Sequence, residues 1–113
     1  MARVLPKPVE LTPGAPDMAA LGRLVRNRRA QSALRIDDAA DQIGVSKDVL
    51  SRLENGRPIG LDKLFLILDG LGLSLLVLPR VEASEVLRTL DETRQNESGI
   101  PEAGQKPSLA ERR

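Results

Sequence analysis

The 113-residue chain contains no histidine, cysteine, tryptophan or tyrosine, and its one phenylalanine is Phe65. Without histidine or cysteine there is no imidazole-activated nucleophile, no thiolate chemistry and no zinc finger. No disulfide framework is available either, so a domain of this size relies for stability on a modest apolar core or on a partner chain. No apolar run approaches the roughly 18 residues that span a bilayer. The opening Met1–Pro6 lacks the apolar stretch of a secretion signal. A large excess of either charge is also missing: 17 Lys and Arg stand against 16 Asp and Glu, for a net charge of +1. These absences point to a cytosolic protein with no metal, no cofactor, no membrane partner and no catalytic residue. The acids sit at helix starts and on solvent faces, with no glycine-rich phosphate loop beside them.

What is present divides the chain into three parts. Residues 1–16 hold Pro6, Pro8, Pro13 and Pro16, each fixing its own φ and pushing the preceding residue out of the helical region, so they read as an extended arm. Residues 17–78 are apolar-periodic and form the domain. Residues 79–113 are a tail, partly helical near Val81–Arg94. From Gln95 to Arg113 it holds Gly, Pro, Ser and Glu with little to bury, and is expected to be disordered.

Within the domain, Asp17 is placed to cap a helix whose apolar residues Met18, Leu21, Leu24 and Val25 recur at helical spacing, ending near Gln31. Asp37 and Asp38 open a short second helix at its positive dipole end, and Gly44 closes it. Ser46 caps a third, with Val49, Leu50 and Leu53 on one face and Asn55-Gly56 as its stop. A fourth runs from Leu61 or Asp62 to Gly70. Its face of Leu61, Leu64, Ile67, Leu68 and Leu71 is expected to fill the core. Gly72 then releases the chain into Leu73–Leu78, which read as a strand stopped by Pro79.

Two short helices joined by a tight turn at Gly44-Val45 have the layout of a helix-turn-helix unit. A small residue is expected at the turn so that no side chain meets the first helix, and Val45 plugs the angle between the two. The third helix then projects Ser46, Lys47, Asp48, Ser51 and Arg52 outward. In a major groove, Lys47 or Arg52 suits guanine O6/N7 and Asp48 suits cytosine N4, with Ser51 less selective. The alternative is that these are ordinary exposed polar residues. From Met18 to Ile36 there are five arginines (Arg23, Arg26, Arg28, Arg29 and Arg35) and no acid. Alone that is as compatible with a solvated face as with nucleic-acid binding; beside a turn motif it favours DNA.

Over about residues 21–72 the chain resembles the phage-repressor-like (XRE) helix-turn-helix family. The most specific stretch is Gly44–Gly56, which follows the family's Gly-Val-Ser…Ile-Ser-x-x-Glu-x-Gly pattern. The resemblance implies a structural salt bridge between Arg29 and Glu54. It also implies phosphate contacts at the start of the second helix and in the loop after the third, positions held here by Arg35 and Ile36 and by Asn55 and Arg57. The family usually opens its second helix with Thr-Gln; Arg35-Ile36 stands there instead, so the phosphate role is assigned to Arg35.

Leu64–Leu68 are five consecutive apolar residues, and a helix apolar nearly all round is buried on more than one side. With one face in the core, Phe65 and Leu66 are left for another surface. In 73–78 only Ser74 is polar, and a lone apolar strand is an open edge. Pairing Leu73, Leu75, Leu76, Val77 and Leu78 with the same strand of a second copy closes it in a two-fold homodimer; the alternative tucks the segment against its own helices. The expected fold is thus all-α, a repressor-like domain of four to five helices, with a short C-terminal strand forming an intermolecular two-stranded sheet. Such a dimer reads a near-palindromic operator in double-stranded DNA, with recognition helices about 34–36 Å apart. The helix-to-strand junction at Leu61–Leu78 is similar to HipB-type antitoxins. That resemblance implies repression of its own promoter and restraint of a HipA-like serine/threonine kinase toxin. A stand-alone repressor of this fold, or a protein-binding adaptor that has lost DNA contact, remain the alternatives. Ile36 and Asp48 are the residues favouring the adaptor.

Overall fold

The computed structural model describes residues 5–99, with side chains described through Asn96. Five helices follow one another: α1 (Met18–Gln31), α2 (Ile36–Ile43), α3 (Lys47–Glu54), α4 (Leu61–Gly70) and α5 (Arg80–Gly99). Among the described residues there is no strand. Along the chain the structure divides into two compact units between Leu76 and Val77, one holding α1–α4 and the other α5.

The local chemistry sets the helix ends of the first unit. Asp17 accepts a hydrogen bond from the Ala20 N–H at 2.8 Å, supplying one of the partners that a helix start lacks. Arg28 and Arg29 occupy the last turn of α1, where cations suit the negative end of the dipole. Asp37 and Asp38 lie in the first turn of α2, and Gly44 ends it in the left-handed region at φ 95°. A Cβ built on Gly44 would meet nothing within 4 Å. The glycine is therefore required for its backbone angle and not, contrary to expectation, to avoid a clash with the first helix.

Room is decisive elsewhere. At Gly22, inside α1, a Cβ would lie 2.3 Å from the Leu53 carbonyl oxygen and 2.8 Å from that of Glu54. Glycine lets α1 approach the end of α3 backbone to backbone. α3 packs against α1, α2 and α4, and Leu50 at its centre is fully buried, as are Val25 of α1 and Ile67 of α4. Each such side chain contributes about 1.5–3 kcal/mol of burial. Ala39 and Ala40 keep α2 close to this core, and Ile36, Val45, Val49 and Leu73 pack against its edge.

Two sequence expectations are corrected. Leu61 is 69% exposed, so only Leu64, Ile67, Leu68 and Leu71 of that face join the core. As the first residue of α4, Leu61 has a Cα–Cβ bond tilted back past the helix end. The last helix is longer than expected: Gln95–Gly99 continue α5, where Gln95 and Glu97 favour a helix although Asn96, Ser98 and Gly99 do not. The disorder expected over residues 100–113 lies outside the described residues. Residues 73–79 form neither helix nor strand. A strand exists only through a ladder partner, and among the described residues none pairs with this segment.

Candidate nucleic-acid interface

The turn Gly44-Val45 joins α2 to α3, and the Ser46 hydroxyl oxygen accepts the Val49 N–H at 3.1 Å to cap α3. With Val49, Leu50 and Leu53 turned toward the core, α3 presents Lys47, Asp48, Ser51 and Arg52 on its other side. Lys47 and Asp48 are exposed; Ser51 and Arg52 are half-buried. Asp48 is in the first turn of α3, where the helix dipole favours a carboxylate; the residue thus has a structural reason to be acidic.

Each flank carries one exposed arginine. Arg35 is the N-cap residue of α2 and lies 3.7 Å from Asp38, one turn on; this solvent-exposed pair is worth about 0–1 kcal/mol. Arg57 is exposed in the connection after α3. Asn55 donates its side-chain amide to the Ser51 carbonyl at 2.8 Å and to the Ser51 hydroxyl at 3.4 Å, which ties the end of α3 to its own polar face. Ile36, where the XRE pattern has a polar residue, is half-buried and packs against the core. Its place is structural, and Arg35 is left as the cation at that helix start.

The five arginines of residues 18–36 divide by function. Arg29 is buried and reaches Glu54 through two charge-assisted hydrogen bonds, Nε to Oε2 at 2.7 Å and Nη2 to Oε1 at 2.8 Å. Its third donor, Nη1, goes to the Leu34 carbonyl at 2.9 Å, so one guanidinium ties the α1–α2 connection to the end of α3. Arg28 donates to the Leu71 carbonyl at 2.8 Å, closing the end of α4. Arg23, Arg26 and Arg35 are exposed. The charge run is therefore part scaffold and part surface, a division that composition does not reveal.

One contact has no counterpart among the sequence expectations, and one expected residue has a partner within the chain. Asn27 accepts from the Val9 N–H at 2.7 Å and donates to the Val9 carbonyl at 2.8 Å, fastening the N-terminal arm to α1. No local pattern signals this, since the partners are 18 residues apart. Arg52, expected to face bases, donates from Nε and Nη2 to the Pro58 carbonyl at 3.2 and 2.9 Å.

Among the described residues no helix is long and apolar enough to cross a membrane. No curated protein matches the chain. A family model described as a helix-turn-helix domain matches residues 20–81, more than half of the 113 residues. The match runs from the first turn of α1 into α5 and takes in the whole of α2, α3 and α4. With the turn at Gly44, the capped α3 and its outward polar face, the chain belongs to the helix-turn-helix domain family, an XRE-like member with the fold of a DNA-binding regulator.

Proposed function

We propose that the chain is a homodimeric, sequence-specific transcriptional repressor of a near-palindromic operator, and the HipB-like antitoxin partner of a HipA-like serine/threonine kinase. The observation that carries the DNA-binding part is α3 itself. It is short, capped at Ser46 and held from beneath by the Arg29–Glu54 pair, and its exposed Lys47 and Asp48 lie between two exposed arginines, Arg35 and Arg57. Lys47, Asp48 and Ser51 face the base edges, while Arg35, Asn55 and Arg57 hold phosphates.

Dimerisation is supported by apolar surface. Phe65 is 53% exposed and Leu66 45%, and Leu75 and Leu76 of the same unit are exposed as well. Val77 and Leu78, at the start of the second unit, are also exposed. A contiguous apolar run of this kind, with open backbone groups, is suited to a second copy of the same segment. The antitoxin role is supported by the likeness of the Leu61–Leu78 junction to HipB-type proteins.

The test is selection of duplexes from a randomised pool by the full chain, followed by light scattering of the complex. A two-fold sequence bound by two copies is expected. With about six phosphates contacted per dimer, log affinity should fall against log salt with a slope near −5. A chain that selects nothing at low salt refutes the DNA-binding reading. Co-expression with the kinase-like product of a neighbouring reading frame tests the antitoxin role: kinase inhibition is expected, and an unaffected kinase leaves a stand-alone repressor.

A further inference from the structure

Arg52 lies on α3 among the side chains that face outward, yet its guanidinium is already engaged. Both Nε and Nη2 donate to the Pro58 carbonyl. Its main-chain carbonyl meanwhile accepts the N–H of Arg57 at 2.8 Å and that of Asn55 at 3.2 Å. One residue thus grips the α3–α4 connection on both sides of Arg57, through the N–H of Arg57 itself and the carbonyl of the residue after it.

The rest of that connection is equally fixed. Gly56 is left-handed, at φ 76°, and a Cβ there would lie 3.1 Å from the Ala19 Cα of α1. Pro58 fixes its own φ and holds Arg57 out of the helical region. Arg57 is therefore an exposed cation on a backbone restrained from before, from after and from α3. Bidentate reading of a guanine takes two guanidinium N–H groups directed at O6 and N7. The Nε–Nη2 edge of Arg52, one of the two edges that could make such a pair, is held on the Pro58 carbonyl, and using that edge on a base would leave the acceptor unpaired within a desolvated interface.

We propose that Arg52 is a positioning residue that aims Arg57 at the DNA backbone, and that it does not read a base. The assignment rests on the DNA-binding reading above. It separates the polar face of α3 into a reading part, Lys47 with Asp48 and Ser51, and a part that organises the phosphate clamp.

The experiment measures equilibrium binding of the full chain to the duplex it selects, to single-base-pair variants of that duplex and to a scrambled duplex, across a salt series. The proteins are wild type, Arg52→Gln, Arg52→Lys, Arg57→Ala and the double variant Arg52→Gln/Arg57→Ala. Arg52→Gln is expected to weaken binding about tenfold on every duplex with base preferences unchanged. The salt slope should shrink by about 0.9, the value for one lost phosphate contact. Arg57→Ala should do the same, and the double variant should be no weaker than Arg57→Ala alone. Arg52→Lys, which keeps one donor for Pro58, should fall between wild type and Arg52→Gln. Relaxed preference at one base pair in Arg52→Gln overturns the proposal in favour of base reading. Additive losses in the double variant overturn it in favour of a separate phosphate contact. A large drop in melting temperature together with loss of all base preference overturns it in favour of a general structural role. If wild type itself prefers no duplex, the DNA-binding reading falls, and this role falls with it.

Discussion

The region around α2 and α3 and the region from Phe65 to Leu76 solve the same problem differently. Around α3, polar groups find partners within a few residues or across one packed contact: Ser46 on Val49, Asn55 on Ser51, Arg29 on Glu54. The result is a self-sufficient unit whose leftover polar side chains face outward. From Phe65 to Leu76 the order is reversed. Phe65, Leu66, Leu75 and Leu76 stay exposed, and the backbone of residues 73–76 forms neither helix nor strand. Self-sufficiency suits a surface that must keep its shape while reading a rigid duplex. Apolar incompleteness suits one that is finished by another chain.

Four substitutions probe that contrast, from the largest expected effect to the smallest. Removing a partner from the buried pair, by Arg29→Ala or Glu54→Ala, strands a charge whose side chain is only 5–6% exposed. The expected loss is about 3–5 kcal/mol, a large share of the stability of a small domain. Urea denaturation measures it, and a loss below 1 kcal/mol would mean that α3 is not held from beneath by this pair. In the other region, Leu75→Lys with Val77→Lys should halve the mass seen by light scattering and leave the helical circular dichroism of the domain in place. An unchanged dimer would sink the strand-pairing proposal.

Smaller effects separate reading from folding. Lys47→Ala should cost about 1–3 kcal/mol of discrimination at one base pair and change folding stability by no more than about 0.5 kcal/mol. Binding to the selected duplex and its single-pair variants, beside a thermal melt, distinguishes the two. Ser46→Ala removes the α3 cap and should destabilise the domain by about 1 kcal/mol, lowering operator affinity only so far as the start of α3 frays. A loss of affinity much larger than that would give the Ser46 hydroxyl a phosphate contact of its own.

The caps and turns were legible because they depend on neighbours in the chain. Asp17, Ser46 and Gly44 each act over four residues or fewer, so residue type and spacing were enough to place α1, α2 and α3. The candidate interface was legible to the same depth: which side chains leave α3 follows from which ones its apolar stripe removes. What those side chains then touch was not. Arg52 is expected to face bases, and no local pattern signals that its guanidinium donates to the Pro58 carbonyl. Leu61 looked like core because it continues the stripe of Leu64, Ile67 and Leu68, yet it projects beyond the end of the core.

By itself, then, the amino-acid order determined four helices in the first unit, two of them capped by a side chain, a glycine turn between the second and third, and a polar side to the third. Local hydrogen bonding and helical periodicity leave little else open to these residues. Only the tertiary structure decided which cations belong to the scaffold and which to the surface. Arg28 and Arg29 meet their partners 43 and 25 residues further along the chain, and a guanidinium's role is fixed by the acceptor that folding brings to it.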